Sequence, residues 1–212
     1  MNTRLCGYFF AVAGALASTG LAGCGSTQSI RQTEGAGHKH LTVVAVDTSK
    51  STEWFRNQAL STAFQIGSKV GGDDDLLVLR FASQCEEIET GPPTDDDGFS
   101  LRLKKELGPS DPKPKTNYPR MLARVADIVA SSKDAEVDVY VLGDAGNDFE
   151  DARWIQRYVE AAKRLESDPR VKEITFWGVE AGTREEVRSI FSDKSGKLRL
   201  LNSDQDPEGM AQ

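Results

Sequence analysis

The chain has 212 residues, with 33 acidic side chains against 26 basic ones and only three cysteines. That length suits one domain of ordinary size with some tail to spare. A net charge of −7, with 38% hydrophobic and 28% charged residues, excludes a nucleic-acid-coating role, a polytopic membrane protein, a coiled coil and a disulfide framework.

The first segment differs from the rest. Residues 1–23 carry a single charged side chain, Arg4, followed by an apolar, Ala/Gly-rich run from Leu5 to Gly23. The run ends in Leu21-Ala22-Gly23-Cys24, and the chain then turns polar at Gly25, Ser26, Thr27 and Gln28. A positive start, an apolar middle and small residues at the end describe a secretory signal. A spanning helix is the other reading, since about 18 apolar residues can cross a bilayer. Against it stand the weak hydrophobicity of the Ala, Gly, Ser and Thr and the lack of a basic stop signal.

Leu-Ala-Gly-Cys at this distance from the start resembles the box of bacterial lipoproteins. The resemblance implies a signal peptide over 1–23, cleavage before Cys24, and lipid on both the thiol and the amine of that cysteine. Three acyl chains exceed the two signals that stable attachment takes, so the protein is expected on a cell-envelope membrane without spanning it. Gly25 resembles outer-membrane sorting where the organism has two membranes. Cys6 is then removed and Cys24 lipidated. Cys85, inside an alternating apolar pattern, fits core packing.

Residues 24–40 are Ser/Gln/Gly-rich and form a flexible, lipidated tether. His38 and His40 lie in it without a cysteine or acid partner, which favours a solvated linker over a zinc site. Leu41–Val46 is a short β-branched run, expected as a strand buried on both faces. From Thr52 to Val70 the period becomes helical, with Trp54, Phe55, Ala59, Leu60, Ala63, Phe64 and Ile66 on one face and Gly71-Gly72 as the stop. Leu76–Phe81 is a second strand and Gln84–Thr90 a third. Thr94–Lys115 is a polar connection holding Asp95–Asp97 and three prolines, with a short element around Leu101 and Leu103.

A helix from Pro119 buries Met121, Leu122, Val125, Ile128 and Val129. Val137–Leu142 is a strand, and Trp154, Ile155, Tyr158, Val159, Ala162 and Leu165 make the most regular helix. Val171–Val179 is another strand. Thr183 and Glu186 fit a capping box for a short helix through Val187, Ile190 and Phe191. Lys197–Leu201 is a last strand and 202–212 a tail. The three tryptophans all fall on buried patterns. Strands alternating with helices predict an α/β domain over 41–201, with an open, mostly parallel, doubly wound sheet and helices on both faces.

In such sheets ligands sit beyond the carboxyl ends of the strands. The first strand runs into Asp47-Thr48-Ser49-Lys50-Ser51, an Asp-x-Ser-x-Ser whose carboxylate and two hydroxyls can converge on a point. These are hard oxygen donors, suited to Mg²⁺ or Mn²⁺. Thr116-Asn117 precedes a helix, and Gly143-Asp144-Ala145-Gly146 follows the fourth strand.

Asp-x-Ser-x-Ser, then Thr, then Asp resembles the von Willebrand factor A domain and its metal-ion-dependent adhesion site. The resemblance implies a Rossmann-like fold with Asp47, Ser49, Ser51, Thr116 and Asp144 around one divalent cation, directly or through water. It also implies metal-dependent binding of a protein partner that offers a carboxylate to an open coordination position. One departure stands out. The family usually has a hydroxyl residue before the last aspartate and a glycine after it, where this chain has Gly143 and Ala145.

Other readings stay open. Asp47 could sit after a parallel strand with Ser51 or Thr52 only capping the next helix. A metal-dependent hydrolase or phosphatase could use Asp47 as nucleophile, as haloacid-dehalogenase-like enzymes do. Their Asp-x-Asp-x-Thr has an acid where Ser49 stands, and no convincing base or second nucleophile is visible. A purely structural domain with a decayed site is the third reading.

Overall fold

The structure is a computed structural model that describes residues 40–91, 95–107, 115–149, 151–192 and 194–205. The segment expected as a signal peptide, Cys24 where lipidation is expected, and most of the expected tether therefore lie outside the described residues. Six strands form one sheet in the order β3-β2-β1-β4-β5-β6. They are β1 (His40–Asp47), β2 (Asp75–Phe81), β3 (Cys85–Thr90), β4 (Glu136–Leu142), β5 (Val171–Trp177) and β6 (Leu198–Leu201). All neighbours pair in parallel except β2 and β3, so the expected sheet is present with one antiparallel edge. His40 belongs to β1 rather than to the tether, and its imidazole meets Asp138 on β4 at 3.1 Å.

β1 is the middle of the sheet because it can be buried on both sides. Leu41, Val43 and Ala45 join one core, and Val44 and Val46 join the other. Helices α1 (Arg56–Ser68) and α2 (Asp96–Glu106) belong to the second core, helices α3 (Tyr118–Ser131), α4 (Ala152–Ser167) and α5 (Ala181–Ile190) to the first. Two-sided burial of an almost wholly apolar strand is what a parallel α/β sheet demands. Among the described residues, no helix is long and apolar enough to cross a membrane.

Several expectations need correction. The helix after β1 does not begin at Thr52. A 3-10 turn spans Lys50–Phe55 and α1 follows it, so the chain tightens beside the site before it becomes regular. Trp54 is not core, being 65% exposed on that turn, while its neighbour Phe55 is buried against Trp177. Trp154 is only half-buried, packed edge-on to Phe149 under the Arg157 guanidinium, and Ile155 is exposed.

The polar connection after β3 holds a full helix, α2. Asp95 caps it by accepting from the Gly98 amide, and Phe99, Leu103 and Leu107 recur at helical spacing to reach the core. Phe99 lies so close to α1 that a Cβ on Gly67 would stand 2.6 Å from its ring. Leu101, singled out in the sequence, points to solvent at 67% exposure. The capping box at Thr183 is also absent. Glu180 is the cap position of α5, and the Thr183 hydroxyl donates to Asp144 O in the loop after β4 instead.

Candidate metal centre

β1 has β2 on one side and β4 on the other, so connections leave its two flanks in opposite directions. Such a switch point opens a crevice at the carboxyl ends of the strands. Asp47 ends β1, and Asp144 lies two residues beyond β4. Both are buried, Asp47 at 1% and Asp144 at 7% exposure.

The first loop is built largely by its own atoms. Asp47 Oδ1 accepts from the Ser49 amide at 2.8 Å, which turns the chain back over the carboxylate. The Ser49 and Ser51 hydroxyls lie 3.0 Å apart, and Ser49 is buried while Ser51 is exposed. Thr52 donates to the carbonyls of Asp47 and Ser49, at 3.1 and 2.9 Å. Arg56 reaches back to the carbonyls of Thr48 and Ser49, both at 2.9 Å. Thr48 ties the loop to the end of β2 by donating its amide and its hydroxyl to Phe81 O. Neither serine is used up in capping: Ser49 is the cap position of the 3-10 turn, yet its side chain makes no capping bond.

The second loop brings Thr116 to the same end of the sheet. The Asn117 amide donates to Ala82 O at the end of β2, and the Asn117 side chain caps α3 by accepting from the Arg120 amide. Asp148, which the sequence did not single out, grips this loop twice. Its carboxylate accepts from the Thr116 amide at 2.7 Å and its own amide donates to Thr116 O at 3.0 Å. The Thr116 side chain is buried.

The third loop departs from the family pattern and is held from outside. Asp144 Oδ1 accepts from the Gly146 amide at 2.8 Å, the counterpart of the Asp47–Ser49 turn. Ala145 takes the left-handed backbone that favours glycine, with φ +62°. Its amide donates to the Tyr118 hydroxyl at 2.8 Å, and that hydroxyl donates to Asp47 Oδ2 at 3.2 Å. The Thr183 hydroxyl donates to Asp144 O at 2.7 Å. Tyr118, like Asp148, was not singled out by the motif reading, because its hydroxyl meets Asp47 across 71 positions of sequence.

The electrostatics suit a cation. Burial pushes the Asp47 carboxyl up to about 7; the Asp144 charge pushes the same way, while hydrogen bonds from Ser49 and Tyr118 pull down. Burial also raises the Tyr118 phenol well above its usual range, which keeps its proton in place for donation. A buried carboxylate beside a second one is costly unless positive charge joins them. Two acids and neutral hydroxyls are the hard-oxygen set that Mg²⁺ or Mn²⁺ accepts, and they fit such an ion. Among the described residues, no group of three or more His, Cys, Asp or Glu side chains lies so as to hold a metal ion.

No family model matches the sequence, and no curated protein does. Solved structures do match. A von Willebrand factor type A protein from Catenulispora acidiphila matches with TM-score 0.56 and 13% identity over 77% of this chain and 38% of its own. The chain has the von Willebrand factor A fold. The PilB minor pilin from Streptococcus sanguinis matches with TM-score 0.57 and 10% identity over 80% of this chain, which spans 58% of the pilin. Proximal thread matrix protein 1 of the mussel byssus, with a zinc-occupied metal-ion-dependent adhesion site, gives TM-score 0.55 and 14% identity. That match covers 78% of this chain and 42% of the byssus protein.

Proposed function

We propose that this chain is a lipid-anchored binding module of the bacterial cell envelope whose von Willebrand factor A domain takes up a divalent cation and, through it, a partner protein. The observation that carries the reading is the pair of buried aspartates, Asp47 and Asp144, at the switch point between β1 and β4, with the Ser49 and Ser51 hydroxyls beside the first. Asp47, Ser49, Ser51, Thr116 and Asp144 would hold Mg²⁺ or Mn²⁺. The zinc-occupied site of the mussel protein supports a divalent ion on this fold. A bound ion supplies an open coordination position for a carboxylate oxygen of the partner.

The chain's own residues do the rest. The turns at Ser49 and Gly146 aim one carboxylate oxygen of each aspartate, and burial keeps competing water from the inner side. With no ion, two carboxylates face an incoming acidic group and repel it, so the ion acts as a switch. Cys24 places the domain at the membrane on a tether, within reach of neighbours in the envelope. The module is read as non-enzymatic.

Calorimetric titration of the full chain with Mg²⁺ and Mn²⁺, beside a pull-down with and without chelator, tests this. Uptake of one ion and chelator-sensitive capture, both lost in Asp47→Ala, are expected. No heat with either metal would overturn the reading, and so would Mg²⁺-dependent hydrolysis that disappears in Asp47→Ala. Lipidation is tested by mass: the mature chain should begin at Cys24 carrying acyl chains, and Cys24→Ser should be released in soluble form.

A further inference from the structure

The family pattern places a side-chain hydroxyl immediately before the last aspartate, and this chain has glycine there. The structure shows what occupies the space. A Cβ built on Gly143 would stand 2.3 Å from the Tyr118 hydroxyl and 2.8 Å from Asp47 Cβ. Both distances are well inside contact, so residue 143 must be glycine as long as Tyr118 sits where it does.

Tyr118 cannot move away easily. It is the first residue of α3, fully buried, with its ring edge-on to Phe81 at 5.0 Å and stacked on Phe176 at 6.4 Å. From this fixed ring the hydroxyl bridges two of the three metal loops: it donates to Asp47 Oδ2 and accepts from the Ala145 amide. The bridge does two things. It fixes the second oxygen of Asp47, the first being fixed by the Ser49 amide. It also satisfies a buried amide in a loop whose backbone is strained at φ +62°.

We propose that Tyr118 is the positioning residue of the metal centre, supplying from α3 the hydroxyl that the family pattern carries at the residue before the last aspartate. This rests on the metal reading above. Tyr118 binds no ion itself; it holds Asp47 and the Asp144 loop in the relation that a shared ion requires. Groups that orient metal ligands in this way are commonly worth 10- to 100-fold in affinity, so a loss on the order of tenfold is expected when the hydroxyl is removed. Gly143 and Tyr118 form one reciprocal unit, in which the hydroxyl has moved and the backbone has given up its side chain to admit it.

The test is calorimetric titration of the full chain with Mg²⁺ in wild type, Tyr118→Phe and Tyr158→Phe. Tyr158 is a matched control: it is also buried, and among the described residues its hydroxyl has no hydrogen-bond partner. The expected result is affinity lowered about tenfold in Tyr118→Phe and unchanged in Tyr158→Phe. A second readout needs no change at Tyr118. Mg²⁺ should perturb the near-ultraviolet tyrosine absorption of wild type and of Tyr158→Phe equally, because a charge arriving at Asp47 polarises the phenol bonded to it. Tyr118→Phe should lose that signal. Tyr118→Phe that binds Mg²⁺ within twofold of wild type overturns the proposal, as does an equal loss in both variants or a wild-type spectrum blind to Mg²⁺ during measurable uptake. Wild type that takes up no metal by calorimetry overturns the metal reading itself, and the two failures are thereby told apart.

Discussion

The loop after β1 and the loop after β4 both aim an aspartate toward the crevice, and they are held in different ways. In the first, Asp47, Ser49 and Thr52 bond to one another within six residues, and Arg56 closes the turn from the next helix. In the second, the Asp144–Gly146 turn and the Asn147 side chain donating to Phe149 O are local. Its other supports include Tyr118 on α3 and Thr183 on α5, with Gly143 N donating to Trp177 O and the Asp148 amide to Thr116 O. A loop that secures itself carries its signature in a short motif. A loop secured by other elements can change its own residues, provided that those elements supply what is lost.

The largest effect should come from breaking the self-secured loop. If the site binds Mg²⁺, an ion concentration one hundred times the dissociation constant stabilises wild type by about 2.7 kcal/mol, roughly 5–10 °C in melting temperature for a domain of this size. Asp47→Asn keeps the shape of the side chain while removing the charge, and should abolish that shift. Its metal-free melting temperature should equal or exceed that of wild type, because a buried carboxylate pushed up to about 7 by burial is itself a burden on the fold. A thermal melt with and without Mg²⁺ decides it. A retained shift in Asp47→Asn would remove Asp47 from the centre.

Next in size is an attack on the externally held loop at its closest contact. Gly143→Ala brings a methyl carbon to 2.3 Å from the Tyr118 hydroxyl and 2.8 Å from Asp47 Cβ, and overpacking of this kind costs about 2 kcal/mol. Part of that cost belongs to the hydroxyl. In a Tyr118→Phe background the same substitution should therefore cost less, leaving the Asp47 contact as the remainder. Chemical denaturation of the four proteins gives the coupling, and strict additivity would mean that the two side chains do not share the space.

This contrast also explains which parts of the molecule were legible in the sequence. β1, β2, β4 and β5 announce themselves as apolar runs because both faces of a parallel sheet are covered. Asp47-x-Ser-x-Ser was legible because five consecutive residues build the loop. Tyr118 was not, since nothing within Asn117-Tyr118-Pro119 says that a hydroxyl will meet residues 47 and 145. Helix α2 was obscured by its acidic start and by Leu101, whose spacing to Leu103 imitates a strand, whereas Phe99, Leu103 and Leu107 carry the burial. Trp54 misled for a related reason. Its apolar spacing assumes an α-helix, but the residue lies on a 3-10 turn that rotates it outward.

A smaller effect is expected at the other external support of the third loop. Thr183→Val removes the hydroxyl that donates to Asp144 O at 2.7 Å and Glu180 O at 3.1 Å while keeping the branched shape. One such bond is worth about 1 kcal/mol net, so the denaturation midpoint should fall modestly. Mg²⁺ affinity should fall by less than in Tyr118→Phe, because the Thr183 hydroxyl bonds to Asp144 O and Glu180 O, whereas Tyr118 joins the first loop to the third. Equal losses in the two variants would mean that it is the stiffness of the third loop, and not the bridge between loops, that sets the affinity.

The smallest effect tests whether Ala145 is a strained substitute for glycine or a settled resident of its position. At φ +62° an alanine costs roughly 1–2 kcal/mol more than a residue without a Cβ. Two terms oppose the change to glycine. The buried methyl is worth about 0.8 kcal/mol, and glycine loses an extra 0.5–1 kcal/mol or so of backbone entropy on folding. Ala145 is 2% exposed and belongs to the same core as Tyr118, so the methyl contribution is close to its full value. The terms nearly cancel, and Ala145→Gly should leave the unfolding free energy from chemical denaturation within about 1 kcal/mol of wild type. A gain well above that would mean the third loop is held under strain by its external supports; a comparable loss would mean the methyl packing has become part of how this loop is secured.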